Sequence, residues 1–376
     1  MPPTRPRLTP AIADVRRAVR ECLASLAARH TENAGVSASE GAQLGASARE
    51  SAESPAFSVP PLVLVALSGG PDSLALAAAT AFEAPRAGLR AGAVIVNHGL
   101  QPGSADAAAA AARQAEVLGL DPVTIRDADV GEHGGPEAAA RSARYRVLVD
   151  AMQELGAAAV LLGHTLDDQA ETVLLGLARG SGPASLGAMR PRVGPYLRPL
   201  LGIRRATTVQ FCVDSDLTPW HDPHNDDEQF ARVRVRKNVL PVLEREIGPG
   251  ITEALARTAE QLREDSDALD HFAEELAEDL AEHSEAGLSL PVAALAANPA
   301  ALRQRLIRLA VAVEFGTNLS RTHTLEVARL VTDWHGQKPL DLPGVSVERR
   351  GSRLHFTARD EGADTNHENE DHHGIQ

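Results

Sequence analysis

The stretch LVLVALSGGPDSLALAAATAF, Leu62 to Phe82, decides the fold. Its first six residues are an unbroken apolar run of the kind that a strand buried on both faces requires. Gly69 and Gly70 follow, then Pro71, which suits a first helical turn because its missing N–H has no partner there anyway. Strand, glycine pair and helix start together make a phosphate cradle. The glycines let backbone N–H groups approach an anion without a Cβ in the way, and the helix start adds free donors and the positive end of its dipole. The run lacks the glycine spacing and the lysine of a Walker loop.

Outward from this stretch, strand and helix alternate. Strands are expected at Leu62 to Leu67, Gly92 to Asn97, Pro122 to Ile125 and Ala158 to Leu162, with helices at Asp72 to Phe82, Ala105 to Leu118 and Pro136 to Leu155. Such alternation predicts an α/β fold, a parallel sheet with helices on both faces and a ligand at the carboxyl ends of the strands. Three motifs obey that rule: SGGPDS after the first strand, Asn97-His98-Gly99 after the second and Gly163-His164 after the fourth.

With 376 residues the chain has room for about two domains and tails. Residues 1–58 read as an extension: Thr9-Pro10 starts a helix with a one-sided stripe of Ile12, Val15, Val19, Leu23 and Leu26, and a flexible linker runs from Thr31 to Ser58. The stripe leaves open docking on the main body or on another chain, a homodimer included. A catalytic domain is expected over 59–227 and a smaller, mainly helical domain over 228–356. The latter carries a small hairpin in Leu340 to Phe356 and is followed by a disordered acidic tail over 357–376. His372 and His373 read as part of a solvated tail.

Cys22 and Cys212 are the two cysteines, far apart and in no CxxC pattern, which fits a reducing compartment and argues against a cysteine-held metal. No apolar run nears the roughly 20 residues of a membrane span, so a soluble cytoplasmic protein is expected. The net charge of −14 is concentrated: Gly250 to Glu285 holds twelve acids against Arg257 and Arg263, and the tail from Thr357 holds six against Arg359. Two basic clusters remain, Arg190, Arg192, Arg198, Arg204 and Arg205, then Arg232, Arg234, Arg236 and Lys237. Local basic surface binds a phosphate backbone whatever the total charge.

Four segments could carry chemistry. Asp72, beside the cradle, is placed to hold Mg2+ bridging phosphate oxygens, or serves only as an acid at a helix start. In GHTLDDQAET, Gly163 to Thr172, the residues His164, Asp168 and Glu171 or Thr172 share one helical face, where histidine or a carboxylate could take a proton from an attacking amine. EAAARSARY, Glu137 to Tyr145, puts Arg141 in reach of charge developing on a phosphate, or in an ordinary pair with Glu137. In WHDPHNDDEQFARVRVRKNVLP, Trp220 to Pro241, Arg232, Arg234 and Arg236 could clamp phosphates while aromatic neighbours stack on a base; the alternative is a solvated linker.

SGGPDS resembles the PP-loop of ATP pyrophosphatases. With VNHGLQPGSADAA, EAAARSARY, GHTLDDQAETVLLGLARGSG, RPLLGIRR and DPHN through FARVRVRK to LP, in this order over about Leu62 to Pro241, the chain resembles the tRNA(Ile)-lysidine synthetase family. The resemblance implies a Rossmann-like sheet of the PP-loop, adenine nucleotide alpha hydrolase type. It implies ATP adenylating C2 of the wobble cytidine in a CAU-anticodon tRNA(Ile), and free lysine displacing AMP to give lysidine. By position, Ser68, Gly69, Gly70, Pro71, Asp72 and Ser73 would bind ATP, with Asn97, His98 and Gly163 on the same edge. Asp72 would hold magnesium, and Asp72, Arg141, His164, Asp168 and Arg236 would serve the reaction. Glu171, Thr172, Arg232 and Arg234 would contact substrate. Val233, Lys237 and Gln101 depart from the family's usual Asn, His and Arg, and the further C-terminal domain of longer members is expected to be absent.

The competing readings are another PP-loop tRNA modifier such as a thiolase, a small-molecule PP-loop enzyme such as GMP or NAD synthetase, and a nucleotide-binding regulatory module. Thiolation usually needs clustered cysteines, small substrates need no basic Arg232 to Lys237 run, and a regulatory module needs no His164, Asp168 and Glu171 beside Asp72.

Overall fold

The computed structural model describes residues 8–41, 59–99, 103–129, 136–284 and 287–359. Two compact units divide the chain between Glu260 and Gln261.

The first unit is built on a six-stranded sheet of order β3-β2-β1-β4-β6-β5. Its strands are β1 (Leu62–Ala66), β2 (Arg90–Asn97), β3 (Val123–Asp127), β4 (Ala157–Leu161), β5 (Arg192–Val193) and β6 (Tyr196–Leu197). All neighbours run parallel except β5 against β6. Val65 of β1 is in register with Ala93 of β2 and Leu161 of β4, so β1 is covered on both edges. That position explains its unbroken apolar run, since both faces of a central parallel strand are buried.

The helices are α1 (Pro10–Gly41), α2 (Pro71–Glu83), α3 (Ser104–Val117), α4 (Pro136–Glu154), α5 (Leu166–Ala178), α6 (Pro183–Leu186), α7 (Arg205–Asp214), α8 (Ala231–Arg234), α9 (Leu240–Glu246) and α10 (Ile251–Leu280), the last of which runs through the division. Val63, Val65, Ala93 and Ile95 on one sheet face share a core with residues of α1, α2, α3 and α7. Leu62, Leu64, Val94 and Val160 on the other pack with Leu148 and Ala151 of α4. Alternating Cβ directions along each strand supply both cores from one apolar run.

The N-terminal stripe docks on the main body. Ile12, Val15, Val19, Leu23 and Leu26 are buried in the core that includes Leu76 of α2 and Phe211 of α7. Arg16 and Arg20 meet the two oxygens of Glu83, at 2.7 and 3.1 Å, and this carboxylate is 1% exposed. The helix continues through Thr31, where a linker was expected, and ends at Gly41. A docked stripe supplies the nucleus, and a proline-free stretch lets the helix propagate. The rest of that expected linker, 42–58, lies outside the described residues, as does Gln101.

The division falls later than the expected 227. Val235 and Leu240 pack on Ala170 of α5, and Arg232 and Arg236 pair with Glu171, which ties this segment to the first unit. Between α8 and α9 the backbone widens into a π turn at Val235–Val239, just before Pro241, whose ring and missing N–H disfavour an ordinary helical turn.

The second unit pairs helices with a five-stranded antiparallel sheet. Its order is β7-β8-β11-β10-β9, from β7 (Glu282–Ser284), β8 (Gly287–Pro291), β9 (Leu340–Leu342), β10 (Val345–Arg350) and β11 (Arg353–Ala358). The helices are the C-terminal part of α10, with α11 (Val292–Ala297), α12 (Ala300–Phe315) and α13 (Arg321–Thr332). The expected hairpin is present as β10 and β11, with Val347 opposite Phe356. It is extended by β8, whose Leu288 and Leu290 join a core with Ile307, Val327 and Val345. The sheet reaches Ala358, one residue past the expected start of the tail, and 360–376 lie outside the described residues.

Candidate active site

In the sheet order, β1 sits between β2 and β4, so the loops leaving β1 and β4 open a crevice at the carboxyl edge where the order reverses. SGGPDS fills the β1 side. Gly69 has φ +83°, which favours glycine, and its carbonyl accepts a 2.9 Å hydrogen bond from the Trp220 backbone N–H. The Ser73 hydroxyl closes the loop: it donates to the Gly70 carbonyl at 3.0 Å and accepts from the Ser68 N–H at 3.2 Å. Gly163 forms the β4 side. A Cβ on it would lie 3.1 Å from Ser73 N and 3.2 Å from Ser73 Cα. Glycine there lets the two loops touch backbone to backbone.

Behind the cradle lies a network of three carboxylates and three guanidiniums. Arg205 sits at its centre, with Nε 3.2 Å from Asp72 Oδ2, Nη2 2.8 Å from Asp168 Oδ1 and Nη1 3.3 Å from Glu171 Oε1. The other Asp72 oxygen accepts from the Thr208 hydroxyl. Glu171, wholly buried, is gripped by Arg236 through Nε at 2.7 Å and Nη2 at 3.1 Å, with Arg232 Nε at 3.5 Å. Arg232 also donates to the Thr172 hydroxyl at 3.0 Å. Asp168 caps α5 by accepting from the Thr165 N–H and hydroxyl, both at 2.8 Å.

These surroundings set the protonation of each group. Burial pushes Asp72 above the usual carboxylate range, with Arg205 and Thr208 opposing it. Asp168 feels the same upward push of burial, yet Arg205 and the Thr165 N–H hold it below its ordinary value. Burial lowers His164 to about 4 although Asp168 opposes it, and its Nδ1 is buried without a hydrogen-bond partner. At neutral pH His164 is therefore uncharged.

The structure sorts the other expected residues. Arg141 is exposed, its guanidinium carbon 5.1 Å from the Tyr145 ring centre. His98 accepts a 3.3 Å hydrogen bond from Arg144 Nε, and burial and that arginine lower its pKa. Asn97 spends its amide on Asp127, at 2.8 Å, and its carbonyl on the Gly99 N–H, at 3.2 Å, so it shapes the β2 turn. Arg234 turns from the network to the carbonyls of Glu228 and Gln229, each at 2.7 Å. Glu171, expected to contact substrate, is wholly buried and enclosed by Arg205, Arg232 and Arg236. Val233, one of the departures, is a buried residue, and Lys237 pairs with Asp226. Arg205 and Thr208 were missed as site residues: Arg205 stood out in RPLLGIRR only as one charge in a basic cluster.

Among the described residues no group of three or more His, Cys, Asp or Glu could hold a metal by itself, and no helix is long and apolar enough to cross a membrane.

Residues 46–243 match the PP-loop domain family, and residues 290–355 match the TilS substrate binding domain. A tRNA(Ile)-lysidine synthase from Leifsonia xyli is 63% identical over 296 residues, which cover 78% of this chain and 89% of the relative. The chain belongs to the tRNA(Ile)-lysidine synthase family. A second such relative, from Thermobifida fusca, is 55% identical over 295 residues, covering 78% of this chain and 89% of that one. Among solved structures, the U34-tRNA thiolase NcsA from Methanococcus maripaludis with its [4Fe-4S] cluster shares the fold at a TM-score of 0.50 and 20% identity, over 68% of this chain and 80% of that one. Asp72, Glu171, Arg205 and Arg236 thus lie within the PP-loop match, and β10 and the first half of β11 lie within the substrate-domain match.

Proposed function

We infer that this chain ligates lysine to C2 of the wobble cytidine of a CAU-anticodon tRNA(Ile), using ATP and releasing AMP and diphosphate. The observation that carries the reading is the presence of both family domains in one chain, the first with an intact phosphate cradle beside a neutral, half-buried histidine.

The chemistry takes two displacements. The C2 oxygen of cytidine attacks the α-phosphorus of ATP, an O–P bond forms, and diphosphate leaves. The ε-amine of lysine then attacks C2, the C2–O bond breaks, and AMP departs with that oxygen. Backbone N–H groups of Gly69 and Gly70 and the start of α2 hold the phosphates. Arg232 and Arg236, locked on one side by Glu171, offer their remaining N–H donors to the charge that develops on the phosphate. His164 takes the proton that the amine sheds. Arg141 lies on exposed surface suited to an RNA phosphate.

Asp72 fits a divalent cation that is held chiefly by phosphate oxygens. It is one carboxylate beside the cradle, and Arg205 and Thr208 occupy one position on each oxygen of a group with about four. Mg2+ bound there would neutralise charge on the phosphates of ATP. With two cysteines in the chain, no cysteine-held four-iron cluster is available. The cytoplasm, where tRNA, ATP and lysine meet, is the compartment this reaction requires.

The test is incubation with ATP, Mg2+, lysine and an unmodified CAU-anticodon tRNA(Ile) transcript, followed by digestion of the RNA and mass analysis. A lysine-mass adduct on cytidine that needs both ATP and lysine is the expected result. AMP release with another acceptor and no adduct would overturn the tRNA reading while leaving the PP-loop one standing.

A further inference from the structure

One stripe of α7 faces the start of α2. Arg205, Thr208 and Cys212, at i, i+3 and i+7, fall on the same side of the helix. Each touches the cradle's helical edge: Arg205 and Thr208 hold the two oxygens of Asp72, and Cys212 Sγ lies 3.4 Å from the Pro71 carbonyl oxygen. Thr208 and Cys212 are fully buried. The stripe is itself anchored, because the Arg205 N–H donates to Asp167 Oδ2 at 2.7 Å and Phe211 sits in the core with α1 and α2.

We propose that the Arg205–Thr208 pair on α7 is a positioning device for the reaction, fixing both oxygens of Asp72 so that the carboxylate faces the phosphate cradle in one orientation. Helix stability alone does not require it: an acid in the first turn of α2 is already favoured by the dipole. Two donors from one rigid helix do what outer partners do for a ligating group, which is to set its direction. Arg205 adds a second link, because the same guanidinium reaches Asp168 and Glu171. The position of Asp72 is thereby tied to that of Arg236, across the crevice from β1 to α5. Lysine cannot reproduce this, since a point-like ammonium lacks the planar fork that serves three carboxylates at once.

The inference rests on reading SGGPDS as the ATP site, and the experiment separates the two. Steady-state kcat and KM for ATP would be measured on the full chain at saturating tRNA and lysine for Arg205→Met, Arg205→Lys, Thr208→Val and Arg205→Met/Thr208→Val, with thermal unfolding of each. Misplacing a reacting group by about 1 Å costs on the order of 100-fold in rate. Arg205→Met is therefore expected to lose about 100-fold in kcat with a smaller change in KM, and Arg205→Lys to recover only part of it. Thr208→Val is expected to lose about tenfold. Because both residues act through one carboxylate, the double variant should be no slower than Arg205→Met within about twofold. A kcat for Arg205→Met within about threefold of the parent, or losses that multiply in the double variant, would overturn the proposal. Gly69→Ala serves as the separate control: unchanged kcat and KM for ATP there would sink the cradle reading itself.

Discussion

Replacing Glu171 by glutamine removes one negative charge and almost no volume, so it isolates the electrostatics of the network. Glu171 is wholly buried and holds Arg236 at 2.7 and 3.1 Å, Arg205 at 3.3 Å and Arg232 at 3.5 Å. At an effective dielectric constant of about 20, one such pair with charges about 4 Å apart is worth roughly 4 kcal/mol before desolvation. Breaking a buried pair costs about 3–5 kcal/mol, since the partner charge is left uncompensated. The guanidiniums keep 22–33% of their side-chain surface exposed, so water relieves part of this, and about 3 kcal/mol is expected. For a domain of this size that corresponds to a fall in Tm of roughly 6–12 °C. The assay is thermal unfolding of the parent, Glu171→Gln, Arg236→Gln and the pair. Coupling between the two sites of at least about 1.5 kcal/mol is expected. A drop below about 2 °C for Glu171→Gln, or additivity within about 0.5 kcal/mol, would refute the reasoning.

Gly163→Ala puts a methyl group 3.1 Å from Ser73 N, where only backbone can yield, so KM for ATP should rise by about tenfold with a stability cost of about 1–3 kcal/mol; a KM equal to that of the parent would contradict the contact. His164 has its folded pKa lowered to about 4, below the roughly 6.5 of an unfolded histidine, so the unfolded chain takes up the proton first as pH falls. Its contribution to stability is complete above about 6.5 and is lost between there and about 4, by up to roughly 3 kcal/mol; denaturant titrations over that range should show a shallower slope in His164→Asn. Leu23→Ala, at a fully buried position of α1, should cost about 2–5 kcal/mol and speed proteolysis near residue 23, whereas a helix merely tethered to the body would show neither effect.

The catalytic half was legible because its signals are local. An apolar run bounded by Gly69-Gly70 and Pro71 fixes strand, turn and helix start within a dozen residues, and the alternation to Leu162 follows the same rule. The strands β5 and β6 have two residues each, too few to leave a period. In the second unit, β8 contributes only Leu288 and Leu290 between an acidic helix and Pro291, so its pairing with β11 is a long-range fact that no window of sequence contains. The same distinction separates the site residues. Asp168 and Glu171 stood out by helical spacing from His164, but Arg205 meets Asp72 across 133 positions and bears no periodic mark. The enclosure of Glu171 was not legible for a related reason: spacing shows which face a residue shares and not which neighbour closes over it.

The docking of α1 sets a schedule for synthesis. Thr9 pairs with Asp214, and the apolar stripe of α1 needs Phe211 and Cys212 of α7 to complete its cover. At about 5–20 residues per second, a ribosome that has released α1 takes roughly 10–40 s to deliver α7. During that interval Val15, Val19 and Leu23 are an apolar face on a nascent chain, with α2 and the turn at Pro85–Ala87 as early shelter. Helix α1 is complete well before α7 can cover it, so slow or paused translation before Asp214 lengthens the period in which its apolar stripe stays uncovered.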